Sequence, residues 1–197
     1  MKTKFNVRVI TMTGVFGALS AVLMMFSFNV PLMPGFIKMD FSELPALIAA
    51  FSMGPLSGAM VCLVKNLINL MFSTTGGVGE LSNFILGCAF VIPAGIIYKK
   101  SKSKKTAFIG AVVGAVIMAA ISVPSNYFVV YPVYTMFLPM EAIIGMYQAI
   151  NPNVDGLLEA LIKFNMPFTF LKGMCSVLIT FIIYKHISPI IKGSHRY

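Results

Sequence analysis

Eight polar side chains stand inside stretches that are otherwise apolar: Lys65, Asn66, Asn69, Asn83, Asn126, Asn165, Thr169 and Lys172. Amides, a hydroxyl and two ammonium groups offer directed hydrogen bonds and positive charge to a ligand, or bonds between neighbouring helices. Lys172 is the most demanding of them. A bare ammonium at mid-depth in a bilayer costs roughly 2.5–3.5 kcal/mol even on the mildest scale, so it requires an acidic partner or a ligand acceptor. Lys65 has Glu43 and Glu80 near the same end of its helix, and pairing with one of them is the expectation. Phe41, Phe84, Phe128, Tyr127, Tyr131, Tyr134 and Phe168 fall at the same level as the amides. An aromatic belt at the membrane interface accounts for rings alone. Rings together with amides and a lysine describe a pocket for a flat aromatic ring with polar edges and a polar tail.

Catalysis finds no equipment. The two histidines, His186 and His195, come after the last apolar run, so no embedded Ser–His pair or His-rich metal site is available. Neither G-x-x-x-x-G-K-S/T nor H-E-x-x-H occurs. Cys62, Cys88 and Cys175 are three in number, lie in apolar runs and match no metal spacing. The chain is read as a non-enzyme with no metal and no cofactor.

The elements that must hold these groups are membrane helices. Of 197 residues, 58% are hydrophobic and 11% charged, and the mean hydropathy is +0.89. Soluble domains average about 25% charged residues, and a sphere of this size cannot hide so much apolar surface. These properties imply a single all-α membrane domain, residues 1–197. Candidate spans are Val9–Phe28, Leu44–Met53, Pro55–Phe72, Leu81–Tyr98, Thr106–Val133 and Pro167–Tyr184. About 20 residues are needed to cross the hydrocarbon core, so Leu44–Met53 is too short by itself and must be packed among its neighbours.

The net charge of +9 is distributed as a polytopic protein distributes it. Lys2, Lys4 and Arg8 precede the first span; Lys99, Lys100, Lys102, Lys104 and Lys105 share one loop; Lys185, Lys192 and Arg196 come after the last. All six acids fall in other connections or at their edges. Positive residues mark the cytoplasmic side. Three full spans lie between the first two basic clusters, so parity requires the short helix to cross as well, giving six crossings with both termini cytoplasmic. Basic loops so placed meet anionic lipid headgroups, and nucleic acid is excluded as a partner. The outward connections are then 29–43, 73–80 and 134–166. The first contains prolines and Gly35 that oppose a helix; the last is long and acidic, with a short amphipathic helix expected at Val154–Lys163.

The first span carries Gly14, Gly17, Ala18 and Ala21, two small-x-x-x-small pairs along which another helix can approach closely. Docking of a partner and packing within the protein itself both fit this pattern.

Particular strings are more specific: DFSELPALIAAF at 40–51, VCLVKNLINL at 61–70, GGVGELSNF at 76–84, NYFVVYP at 126–132, LPMEAIIGMYQAINPNVDGL at 138–157 and PFTFLKG at 167–173. In this order they resemble the riboflavin-specific substrate-binding (S) component of energy-coupling factor (ECF) transporters, from about Arg8 to Lys185. The resemblance implies a cell-membrane, multi-pass protein of six helices that captures riboflavin from outside. It also implies docking, through small residues of the first helix, onto a transmembrane coupling (T) component carrying two ABC ATPases. Carried over by motif, it assigns the ligand to Asn126, Lys172 and the loop residues Met39, Asp40 and Phe41, with Asn83, Asn165 and Thr169 beside them. The family often has Asn where Thr169 stands, and Asn165 one turn earlier can supply the missing amide. Two alternatives stay open on the residues alone: an S component for another vitamin such as thiamine or biotin, and a ligand-free membrane assembly protein.

Overall fold

The computed structural model describes residues 7–73 and 75–192, with side chains through Ile183. Lys2, Lys4, His195 and Arg196 lie outside the described residues. The described residues are mostly helical. α1 is Val7–Met25, α2 Glu43–Met53, α3 Pro55–Leu70 and α4 Val78–Lys100. α5 runs unbroken over Lys104–Tyr134, α6 is Met140–Gln148, and α7 covers 157–192. A two-residue ladder pairs β1 (Phe28–Asn29) antiparallel with β2 (Lys38–Met39).

Among the described residues, four helices are long and apolar enough to cross a membrane: Val7–Met25, Val78–Lys100, Lys104–Tyr134 and Leu157–Ile183. Their outward positions carry exposed apolar side chains such as Val15, Leu19, Val116, Leu171, Leu178 and Ile182. Water would penalise such a surface, whereas hydrocarbon does not. Two further apolar helices, Glu43–Met53 and Pro55–Leu70, are shorter.

The short helix is the centre of the bundle. Every residue of α2 from Glu43 to Phe51 is buried, against α1, α3, α4 and α7. Gly54, at φ +106°, turns the chain sharply between α2 and α3, and Pro55 occupies the first turn of α3, where its missing N–H costs nothing. Small residues then let the backbones close. A Cβ at Gly58 would stand 2.7 Å from Ala50 Cβ, and one at Gly114 would run into the Phe90 carbonyl oxygen.

The connection 29–43 forms no helix, as its prolines and Gly35 require, and the β1–β2 ladder closes it into a hairpin. Two local expectations are corrected. The expected helix at Val154–Lys163 starts at Leu157, after an extended Gly156 at φ 179°, and continues without a break into the last span. Pro167 therefore lies inside a helix rather than at its start. The helix accommodates it with a π turn at Leu161–Asn165, closed by Met166 N–H donating to Leu161 O. The same solution recurs in α5, where the π turn Asn126–Val130 precedes Pro132 and is closed by Tyr131 N–H donating to Asn126 O. Proline lacks an N–H and crowds the carbonyl four residues back, so a widened turn just before it relieves both problems. The segment between α5 and α7 also holds α6, a helix for which the sequence raises no expectation.

Candidate functional site

The two π turns lie at the same end of the bundle, and each places an asparagine in a shared cavity. Asn126 opens the turn in α5 and Asn165 closes the turn in α7. The inner part of the cavity measures about 140 Å³ and joins a wider outer part of about 980 Å³ through Phe36, Lys38, Asn83, Tyr134 and Lys172, which line both.

Aromatic surface comes from three places. Tyr131 and Tyr134 on α5 and Phe168 on α7 line the inner part. Phe36, from the tip of the β1–β2 hairpin, packs its ring against Tyr131, Tyr134 and Tyr147 at centroid distances of 6.2, 5.7 and 6.2 Å. The hairpin is thereby seated on the outer ends of α5 and α6.

Polar groups are fixed by partners of their own. Asn126 Oδ1 accepts from Ser82 Oγ of α4 at 3.2 Å, which leaves its amino group for the cavity. Asn165 Oδ1 accepts from Tyr147 Oη at 2.6 Å, its Nδ2 donates to Tyr131 Oη at 3.4 Å, and the two phenols are bonded to each other. The short contact has the length of an O–H···O bond and the long one that of an N–H donor, which sets the amide orientation. One N–H of Asn165 remains for a ligand acceptor. Burial pushes the Tyr147 phenol well up, so it stays neutral and able to donate.

The ammonium groups sit in an ionic ring. Lys172 Nζ is 2.8 Å from Asp40 Oδ2 and 3.6 Å from Glu43 Oε2. Lys65 Nζ is 2.9 Å from Glu43 Oε1 and donates to Ser42 Oγ at 2.6 Å. Ser42 in turn donates its N–H and its hydroxyl to Asp40 Oδ1, and its carbonyl accepts from Ser20 Oγ of α1. Burial raises the pKa of Asp40, but Lys172 and Lys65 outweigh it and hold the carboxyl down at about 2. A carboxylate so depressed contributes stability above the ordinary range of about 4, lost only as pH falls toward 2.

Set against the sequence, the cavity gathers Asn83, Asn126, Asn165, Thr169 and Lys172 in its inner part and Asp40 in its outer part. Met39 and Phe41 are not on its wall. Met39 is buried in the hairpin ladder opposite Phe28, and the Phe41 ring packs on Phe28 at 6.3 Å. The aromatic set divides as well. Tyr127 and Phe128 are exposed on the outside of α5, and Phe84 packs against the bundle core. Of the alternatives for Lys65, Glu43 is its partner; Glu80 accepts instead from Ser73 and Thr75. Three residues that sequence reasoning does not place in the site are Ser82, Phe36 and Tyr147. Tyr147 had a signal: Ile143 and Tyr147, four apart, form the buried face of α6.

The small-residue stripe splits into two faces. A Cβ at Gly17 would meet Val64 of α3 at 2.6 Å, and the Ala21 carbonyl accepts from Asn69 Nδ2. Gly14 and Ala18 are exposed, with nothing within 4 Å of a Cβ built at Gly14.

Comparison with known proteins agrees with this architecture. The family model of the ECF transporter substrate-specific component matches residues 8–184. The riboflavin transporter RibU of Staphylococcus aureus (strain TCH60) is 32% identical over 95% of this chain and 93% of its own. The riboflavin transporter FmnP of Bacillus subtilis (strain 168) is 28% identical, over 93% and 94%. A solved S component of a bacterial ECF transporter superposes with a TM-score of 0.74 at 29% identity, covering 93% of this chain and 97% of that one. The chain therefore belongs to the family of substrate-specific components of ECF transporters.

Proposed function

We propose that this chain is the riboflavin-binding S component of an ECF-type importer, a transport subunit and not an enzyme. The observation that carries the reading is the cavity itself. Tyr131, Tyr134, Phe36 and Phe168 supply faces for a planar ring, while Asn126, Asn165 and Lys172 supply donors for its carbonyl edge. The wider outer part, with Lys38, Asp40 and Asn83, suits a hydroxylated chain. The relatives in Staphylococcus aureus and Bacillus subtilis are riboflavin transporters, which favours riboflavin over thiamine or biotin. A ligand-free assembly protein has no use for donors left facing a cavity.

The arrangement is one membrane domain with six crossings, the four long helices plus α2 and α3, and cytoplasmic termini. Glu43 and Pro55 lie at the two ends of the α2 crossing, and α3 returns the chain outward to Asn69. Ligand then enters from outside beneath the hairpin. With no nucleotide-binding motif, the chain depends on a coupling component and two ATPases, docked on the open face of α1 at Gly14 and Ala18; the family membership supports this dependence. Met39 and Phe41 contribute to the lid by holding the hairpin shut rather than by touching the ring. The test is uptake of labelled riboflavin by cells carrying this chain alone or together with a coupling module. Uptake is expected only with the module; concentrative uptake by the chain alone would overturn the reading.

A further inference from the structure

The five residues of the ionic ring around Lys172 close on themselves. Asp40 Oδ2 meets Lys172, Lys172 meets Glu43 Oε2, Glu43 Oε1 meets Lys65, Lys65 meets Ser42 Oγ, and Ser42 returns to Asp40 Oδ1. The outer loop, α2, α3 and α7 each contribute to the ring. All five residues are buried, Glu43 and Lys65 completely. Two carboxylates and two ammonium groups sum to zero charge. Glu43 and Lys172 lie on the wall of the inner cavity, whereas Lys65 does not.

We infer that Glu43, with Lys65 behind it, is a positioning and specificity-determining residue that makes this wall select an uncharged ring over an anionic one. The inference rests on the flavin-binding reading. An ammonium has three N–H donors; Lys172 gives one to Asp40 at 2.8 Å and only ion-pairs with Glu43 at 3.6 Å, so at least one donor remains for the cavity. A neutral carbonyl can take that donor while the carboxylates keep theirs. A negatively charged ligand atom in the same place must compete with two carboxylates for one cation, and it meets the repulsion of Glu43 in a medium that screens poorly. Glu43 holds Lys172 only as long as Lys65 balances it, because a lone carboxylate in this position would be a buried unpaired charge.

The riboflavin ring offers a probe of both charge states, because its two-electron reduced form is an anion at neutral pH. Purified full-length protein is titrated with oxidised and with reduced riboflavin, anaerobically, and the midpoint potential of the bound ring is measured. The unaltered protein is expected to bind the oxidised ring at least tenfold more tightly than the reduced anion. Equal or tighter binding of the anion overturns the inference without any variant being made. Glu43→Gln, which leaves one excess positive charge, is expected to shift the ratio tenfold toward the anion, a rise of about 30 mV in potential. Lys65→Gln is expected to shift it the opposite way, and Glu43→Gln with Lys65→Gln to return it to within about threefold of the parent. A residue that only supports the fold loses affinity for both forms alike, so shifts of the same sign, or none, overturn the inference. Absence of binding of oxidised riboflavin to the unaltered protein is a different result, and it refutes the flavin reading instead.

Discussion

Gly14 and Gly17 stand three residues apart on α1, and enlarging them should have opposite consequences. At Gly17 an added Cβ would stand 2.6 Å from Val64 Cγ1 and 2.9 Å from Val64 Cβ. A valine in a helix holds one strongly preferred χ1 rotamer, and rotating it cannot move its Cβ. The backbones of α1 and α3 must therefore separate, at an overpacking cost of about 1–3 kcal/mol for a modest side chain. The Asn69 Nδ2 bond to Ala21 O, 3.2 Å long across the same interface, would lengthen with them. At Gly14 nothing lies within 4 Å of a built Cβ, so an enlarged side chain meets no steric opposition inside the subunit. Gly17→Leu should consequently lower the thermal midpoint and weaken riboflavin binding together. Gly14→Leu, and Ala18→Leu on the same face, should leave both within error while abolishing uptake in the presence of the coupling module. Stability is read by thermal unfolding in detergent, binding by fluorescence quenching, and transport by labelled riboflavin. Full uptake with Gly14→Leu would refute the assignment of this face to docking, and unchanged stability with Gly17→Leu would refute the packing argument.

Removing either buried lysine should act through charge rather than volume. Lys65→Met leaves Glu43 without its 2.9 Å partner and should destabilise the protein by about 3–5 kcal/mol, the cost of breaking a buried pair from one side; Lys172→Met should lose more riboflavin affinity than its loss of stability explains. An equal loss of affinity in both variants at matched stability would show that Lys172 does not reach the ligand. Tyr147→Phe should lower riboflavin affinity by about 1 kcal/mol by releasing the Asn165 amide, and that loss should vanish in an Asn165→Ala background when a double-mutant cycle is run. Additive losses would mean that the phenol acts independently of Asn165. A cysteine at Ser103, between the lysines that end α4 and open α5, should be labelled by impermeant maleimide only after the cytoplasmic side is opened. Labelling from outside would contradict six crossings.

Much of this architecture was legible in the sequence because a bilayer enforces simple rules. Apolar length marked the four long helices, and the shortness of Leu44–Met53 called for packing among its neighbours, where α2 lies fully buried from Glu43 to Phe51. Polar residues in apolar runs led to the cavity, since Asn126, Asn165, Thr169 and Lys172 have few other reasons to sit there. The hidden features depend on tertiary geometry. Proline marks a helix start and a tolerated helix interior with the same letter, so Pro167 reads as a boundary although a π turn carries the helix through it. Two residues per strand are too few for a β pattern, so the hairpin that withdraws Met39 and Phe41 from the wall left no periodicity to read. Small residues three and four apart share one broad face of a helix, and the sequence alone does not say which edge of that face is covered. Gly17 and Ala21 turned inward, while Gly14 and Ala18 did not.

Whether the cavity holds a flavin ring is read by titrating the purified, full-length protein in detergent with riboflavin and following quenching of flavin fluorescence. Saturation at one riboflavin per chain is expected, undiminished by excess thiamine or biotin and weakened at least tenfold by Asn126→Ala. Unquenched fluorescence at stoichiometric concentrations, or displacement of riboflavin by either of the other vitamins, would contradict it.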